Sequence, residues 1–287
     1  MCDNDSLDDM IAYELKQKEL SRRSFGAFAL GAGLVSILPR AADAAEVTES
    51  EVQIKTPDGT CDAHFAHPAK GKAPAVVVWP DIFGLRPAFR QMGKRLAESG
   101  YSVLTVNPFY RTKKAPTSTS TAFDDSTRAA LFALAGSLNA DTNVTDAKAF
   151  IAWLDKQSAV DAKKKVGTTG YCMGGPLVMR TAASVPDRVG AGATFHGGSL
   201  VTDKPDSPHL LIPKMKAHFL IAIADNDDMK EPESKNVLKK AFGNAAEIEV
   251  YKGSMHGWCP PDSKVYDHDL AEKAWTRLLA LFKTSLV

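Results

Sequence analysis

From Val47 onward the chain alternates between short apolar runs and longer segments of helical spacing. "EVQIKT" and "CDAHFAH" alternate with period two on either side of Pro57-Asp58-Gly59, a turn signal, and together predict a β-hairpin. "APAVVVWP" and "YSVLTVNP" are continuous apolar runs, the pattern of strands covered on both faces. Further strands are predicted at "KKVGTT", "VGAGATFHGG", "KAHFLIAIAD" and "EIEVYKG". Helical spacing runs over Arg86–Gly100, Asp124–Leu138, Asp141–Gln157, Gly174–Ser184, Glu231–Phe242 and Lys264–Leu286. The polar, Ser-, Thr- and Pro-rich "RTKKAPTSTSTAF" reads as a loop or lid. Strands that alternate with helices predict an α/β class, with a mainly parallel central sheet and helices on both faces. In such sheets the chemistry gathers at the carboxyl ends of the strands.

The N-terminus follows a different pattern. "SRRSFGAFALGAGLVSILPRAADAAE" opens on Arg22-Arg23, continues through an apolar run from Ala27 to Leu38, and closes on Ala42-Asp43-Ala44. The run is too short to span a bilayer, and the small-residue close has the form of a cleavage site. The order resembles a twin-arginine export signal. Residues 1–44 are therefore expected to be a signal, and 45–287 one α/β domain. The expected destination is the periplasm or the exterior, with the twin-arginine export machinery as a partner. Cys2 is not followed by a lipobox arrangement, so no stable membrane anchor is expected.

Composition narrows the classes. The 287 residues are 44% hydrophobic and 24% charged, enough to bury one large core. The formal net charge is +1 and no basic block occurs, which argues against nucleic acid. The four cysteines form no CxxC pair, which argues against a structural zinc site. There is no HExxH, P-loop or dinucleotide fingerprint, so no metal and no nucleotide cofactor is expected.

The segment "VGTTGYCMGGPL" carries the candidate chemistry. Gly170-x-Cys172-x-Gly174, after a predicted strand and before a predicted helix, has the form of the GxSxG elbow with cysteine in the serine position. The turn projects the thiol above the sheet edge, and the helix N-terminus favours the thiolate. The Met173 N–H lies where an oxyanion donor belongs. A buried packing cysteine is the bland alternative, and the strand–turn–helix context argues against it. A base and an acid must follow in the order nucleophile, acid, histidine. His256 in "KGSMHGW" follows the last strand. Asp225, Asp227 and Asp228 in "IAIADNDDM" follow the penultimate one, and local physics does not separate them. His196 ends another strand, either lining the pocket or satisfying local backbone groups.

"GYCMGG", "PDIFGLRP", "NPFYR", "FHGG" and "HGWCPPD", in this order, resemble the dienelactone hydrolase family, of the α/β-hydrolase fold. The likeness runs from about Val47 to the C-terminus. It implies a Cys-His-Asp triad on Cys172, His256 and Asp227, with the Ile82 N–H as second oxyanion donor. It places Asp81 where the family usually has a glutamate, in position to gate thiolate formation. Arg111 matches the arginine that binds the substrate carboxylate, and Trp258, with Phe83 and Tyr110, is a candidate pocket wall. Members acting on dienelactone carry a second arginine where this chain has Pro260. The resemblance implies hydrolysis of an ester or lactone, with a carboxylate-bearing small molecule as partner. A thioesterase or acyl transferase on the same triad, and a non-catalytic carboxylate-binding or thiol-sensing protein, are the alternatives.

Overall fold

The computed structural model describes residues 44–118 and 125–287. The export-signal reading, apart from Ala44, lies outside the described residues. Eight strands form one sheet in the order β1-β2-β4-β3-β5-β6-β7-β8. They are β1 Val47–Thr56, β2 Gly59–Pro68, β3 Ala75–Trp79, β4 Ser102–Val106, β5 Val166–Tyr171, β6 Val189–Phe195, β7 His218–Ala224 and β8 Ala246–Tyr251. β1 pairs antiparallel with β2, and β2 antiparallel with β4; all later pairings are parallel. The Thr56↔Gly59 pairing leaves Pro57 and Asp58 as the hairpin loop. The strands thus follow the hydrophobic pattern, and the sheet is mainly parallel as expected.

Helices cover both faces. They are α1 Pro87–Glu98, α2 Asp125–Gly136, α3 Ala140–Leu154, α4 Gly174–Ser184, α5 Asp225–Lys230, α6 Ser234–Phe242 and α7 His268–Ser285. Local chemistry sets their starts. Pro87 supplies a preset φ at the first turn of α1. Asn139 and Thr142 form a reciprocal capping box on α3, and Asp267 caps α7 by accepting from the Leu270 N–H. Two elements lack a helical period long enough to read from sequence: the six-residue α5, and a 3₁₀ segment at Pro208–Lys214.

The core divides by strand alternation. Ala75, Val77 and Trp79 of β3 face one side, packing with Phe150 of α3, Leu177 of α4 and Leu238 of α6. Val76 and Val78 face the other, with Phe89 of α1 and Leu278 of α7. A smaller apolar cluster sits above the sheet edge and joins Ile82, Phe83, Phe109, Leu131, Cys172 and Met173. The chain order reverses at β3, with β4 on one side and β5 on the other, which opens the crevice where parallel sheets bind ligands. Phe150 is fully buried and its ring centroid lies 5.6 Å from that of Trp79. Phe150→Ala is expected to lower unfolding free energy by about 3–5 kcal/mol, read by urea denaturation.

Candidate active site

Five candidate positions lie just beyond strand ends on one edge of the sheet. Asp81 follows β3, Cys172 β5, His196 β6, Asp227 β7 and His256 β8. Lateral pairing places these ends side by side: Trp79 opposite Gly170, Tyr171 opposite Phe195, Phe195 opposite Ala222 and Ala224 opposite Tyr251.

Cys172 sits at φ 53°, in the left-handed region that side chains other than glycine's avoid. Such a conformation costs roughly 1–2 kcal/mol. Its own backbone holds it there: its N–H donates to the Phe195 carbonyl at 3.0 Å, and its carbonyl accepts from the Gly175 N–H at 3.0 Å. Glycine is required on either side. A Cβ on Gly170 would lie 2.3 Å from the Gly174 carbonyl oxygen, and one on Gly174 would lie 2.4 Å from that of Trp79. The sequence signal for the elbow therefore has a steric origin, since strand, turn and helix are packed backbone to backbone. α4 begins at Gly174, so its positive end faces the cysteine. Among the described residues, neither the Ile82 nor the Met173 N–H is taken by a backbone acceptor in a turn, loop or cap.

Three aspartates compete after β7, and each has a different partner. Asp227 Oδ2 lies 2.7 Å from His256 Nδ1. Asp225 accepts from Lys252 Nζ and the Gly253 N–H, contacts that hold its carboxyl below the usual range. Asp228 accepts from Lys235 through both oxygens. All three stand on α5, not in an irregular turn. Asn226, which no sequence signal distinguished, accepts from the His256 N–H at 2.7 Å and so fixes the histidine's backbone beside its acid.

His196 packs on His256, and Trp258 packs on His196. The His196 ring meets those of His256 at 5.0 Å and Trp258 at 5.1 Å, both edge to face. Trp258 in turn stacks on Tyr251 at 5.2 Å and is fully buried. These contacts occupy the two side chains in packing. Burial, followed by the neighbouring His256, holds His196 well below the usual imidazole range.

Asp81 and Arg111 each meet charged partners within the chain. Asp81 Oδ1 accepts from the Phe83 N–H at 3.0 Å and from Arg86 Nη1 at 2.6 Å, while Oδ2 accepts from Arg86 Nη2 at 3.0 Å. The carboxylate meets a guanidinium. Arg86 also donates to Asp262 from Nε at 2.7 Å and Nη2 at 3.0 Å. Burial works against its charge, but the two carboxylates outweigh burial and raise its pKa. Arg86 lies within the "PDIFGLRP" motif, yet a lone arginine after a turn carries no sequence signal for a buried pair. Arg111 donates to Asp58 at 3.0 and 2.5 Å and to both oxygens of Asp146 at 2.8 Å. Its carboxylate partners come from within the chain, because the hairpin loop and α3 close on it from two sides. Together with the Tyr110–Asp146 bond this ties the hairpin loop to α3.

Cys61 and Cys259 are free and lie in the cores on opposite faces of the sheet, so they do not pair. Burial raises both thiols far above the usual range. Among the described residues, no group of three His, Cys, Asp or Glu side chains is placed to hold a metal ion.

The profile of the Dienelactone hydrolase family matches residues 61–286. A carboxymethylenebutenolidase of Pseudomonas putida is 26% identical over 231 residues, covering 79% of this chain and 93% of that protein. One of Rhodococcus opacus is 26% identical over 246 residues, covering 82% and 90%. Protein usf of Aquifex pyrophilus is 31% identical over 134 residues; the match spans 46% of this chain and only 56% of usf. Among solved structures, dienelactone hydrolase from Anabaena variabilis superposes with a TM-score of 0.61 at 15% identity, covering 84% of this chain and 99% of that one. An acylaminoacyl peptidase of Pyrococcus horikoshii gives 0.57 at 18%, over 84% of this chain and 42% of its own. The structural matches speak for the fold.

The neutral, buried His196 makes stability depend on pH. Its folded pKa is depressed, so between that value and about 6.5 the unfolded chain binds the extra proton. The contribution is fully present above about pH 6.5 and is lost as pH falls, by about 1.4 kcal/mol per unit. His196→Phe is expected to flatten the fall in melting temperature between pH 7 and pH 5.5; an unchanged slope would assign the acid sensitivity elsewhere.

Proposed function

Because this chain belongs to the dienelactone hydrolase family of ester and lactone hydrolases, we propose that Cys172, His256 and Asp227 form its catalytic triad and work through an acyl-enzyme. The observation that carries this reading is the 2.7 Å Asp227–His256 bond, together with a cysteine held at positive φ on a strand-to-helix elbow at the same edge of the sheet. Cys172 and His256 come from neighbouring parts of the sheet edge. The Cys172 N–H is bonded to the Phe195 carbonyl, and the next residue, His196, packs its ring on His256.

In this reading His256 takes the Cys172 proton, and the thiolate attacks the acyl carbon. The carbonyl electron pair moves onto oxygen, where the Ile82 and Met173 N–H groups receive the charge. Collapse breaks the acyl–oxygen bond, and the departing alkoxide takes the proton from His256. For a lactone, that alcohol stays tethered to the acyl group. Water then gives a proton to His256 and attacks the thioester, and the thiolate leaves. Asp227 holds the imidazole in the tautomer both steps need.

The chemistry requires a reduced, unblocked sulfur at Cys172. Turnover of a chromogenic ester is therefore expected to be lost on alkylation of that thiol with iodoacetamide. Cys172→Ala is expected to lower kcat/KM by roughly 10³-fold or more, and Asp227→Asn by roughly 10²–10⁴-fold, with melting temperatures little changed. Full turnover by folded Cys172→Ala would refute the triad.

We further propose export by the twin-arginine route, supported by the Arg22-Arg23 pattern and the apolar run behind it. Arg22→Lys with Arg23→Lys is expected to retain the protein in the cytoplasmic fraction of a host with that pathway. An unchanged periplasmic fraction would count against the reading.

A further inference from the structure

A cavity of about 430 Å³ runs along one side of α4, from Met173 beside the elbow to Arg180. Met173, Pro176, Leu177 and Arg180 all line it, the spacing of one helix face. The opposite wall comes from Leu138 and Asn139 before α3 and from the loop after β6.

Arg180 differs from the other buried arginines. Arg86 and Arg111 each have two carboxylates, with hydrogen bonds of 2.5–3.0 Å. The Arg180 side chain is 14% exposed, yet its Nε is buried with no acceptor among the described residues. Its contacts are the Asp206 carbonyl at 3.3 Å and the Asp206 carboxylate at 3.7 Å, and that carboxylate is more than half exposed. Burial pulls its pKa below the usual guanidinium value, and Asp206 compensates only in part. A desolvated cation with an unused donor is costly unless an anion completes it.

We propose that this cavity is a substrate subsite in which Arg180 binds a carboxylate at the far end of an ester or lactone whose acyl group reacts at Cys172. The planar donor fork suits a carboxylate. With Asp206 on the rim already offsetting part of the charge, a single negative charge fits better than a phosphate dianion. Met173 and Arg180 are seven residues apart, about 10 Å of helix rise. Because helical side chains lean towards the N-terminus, the guanidinium reaches back and shortens that span. The subsite therefore calls for a carboxylate roughly 5–10 Å from the reacting carbon, a linker of about four to six methylene groups. The proposal rests on the hydrolase reading of the elbow, and it moves carboxylate recognition from Arg111, which is filled, to Arg180.

The test uses reduced full-length enzyme and two matched substrates: the 4-nitrophenyl monoester of adipic acid and 4-nitrophenyl hexanoate. Wild type is expected to prefer the adipate ester. Arg180→Gln should lose roughly 10–100-fold in kcat/KM on it, mainly through KM, and should keep its rate on the hexanoate. Arg180→Lys, which keeps the charge but loses the fork, should fall between them and serves if the glutamine variant does not fold. Equal losses on both esters, or no loss on either, would overturn the subsite. Adipate binding, read as a rise in melting temperature, separates the two readings. If wild type is stabilised by adipate and Arg180→Gln is not, while neither ester is cleaved, the subsite stands and the hydrolase reading falls. Equal stabilisation of both proteins, or of neither, overturns the subsite.

Discussion

The closeness of three backbones, β3, β5 and the first turn of α4, is the constraint on which the site depends. Side chains on Gly170 or Gly174 would collide with carbonyl oxygens, so strand and helix come within backbone contact and the chain between them must turn sharply. The turn leaves Cys172 in a conformation it would not adopt alone, and hydrogen bonds from its own amide and carbonyl hold it there. The remaining site residues are positioned by their strands: each follows the carboxyl end of a neighbour, and the sheet's lateral register does the assembling.

The buried arginines of this protein have distinct roles because their counter-ions differ. Arg111 joins the β1–β2 hairpin to α3 through Asp58 and Asp146, and Tyr110 adds a second bond to the same acid. Arg86 joins the segment after β3 to the segment after β8. Of these three, Arg180 borders an open cavity and keeps a buried Nε with no acceptor among the described residues. Charge and burial alone would not distinguish them; the geometry of the neighbouring carboxylates does.

Much of this was legible in the sequence. The strand and helix periods placed all eight strands and the longer helices, because a sheet buried on both faces demands runs such as "AVVVW". The elbow was legible because steric exclusion leaves glycines in fixed positions. α5 was not, since six residues hold no complete amphipathic repeat and three of them are aspartates. The partners of Arg111 and Asp81, namely Asp146 and Arg86, were not legible, because tertiary placement sets them. A charged residue at a strand end looks the same in sequence whether it faces a ligand or an internal counter-ion. His196 and Trp258 illustrate the apolar version, because an aromatic stack behind a histidine and an aromatic wall in front of it have the same composition.

Arg86 is gripped by Asp81 on one side and Asp262 on the other, residues far apart in the chain. Asp81 immediately precedes Ile82, and Asp262 lies six residues beyond His256. One guanidinium thus sutures the loop bearing an amide donor to the loop bearing the imidazole. A shift of either loop pulls on the other, so the separation of the Ile82 N–H from the His256 ring is more tightly constrained than two independent loops would allow. A single planar cation makes two remote segments behave as one rigid part.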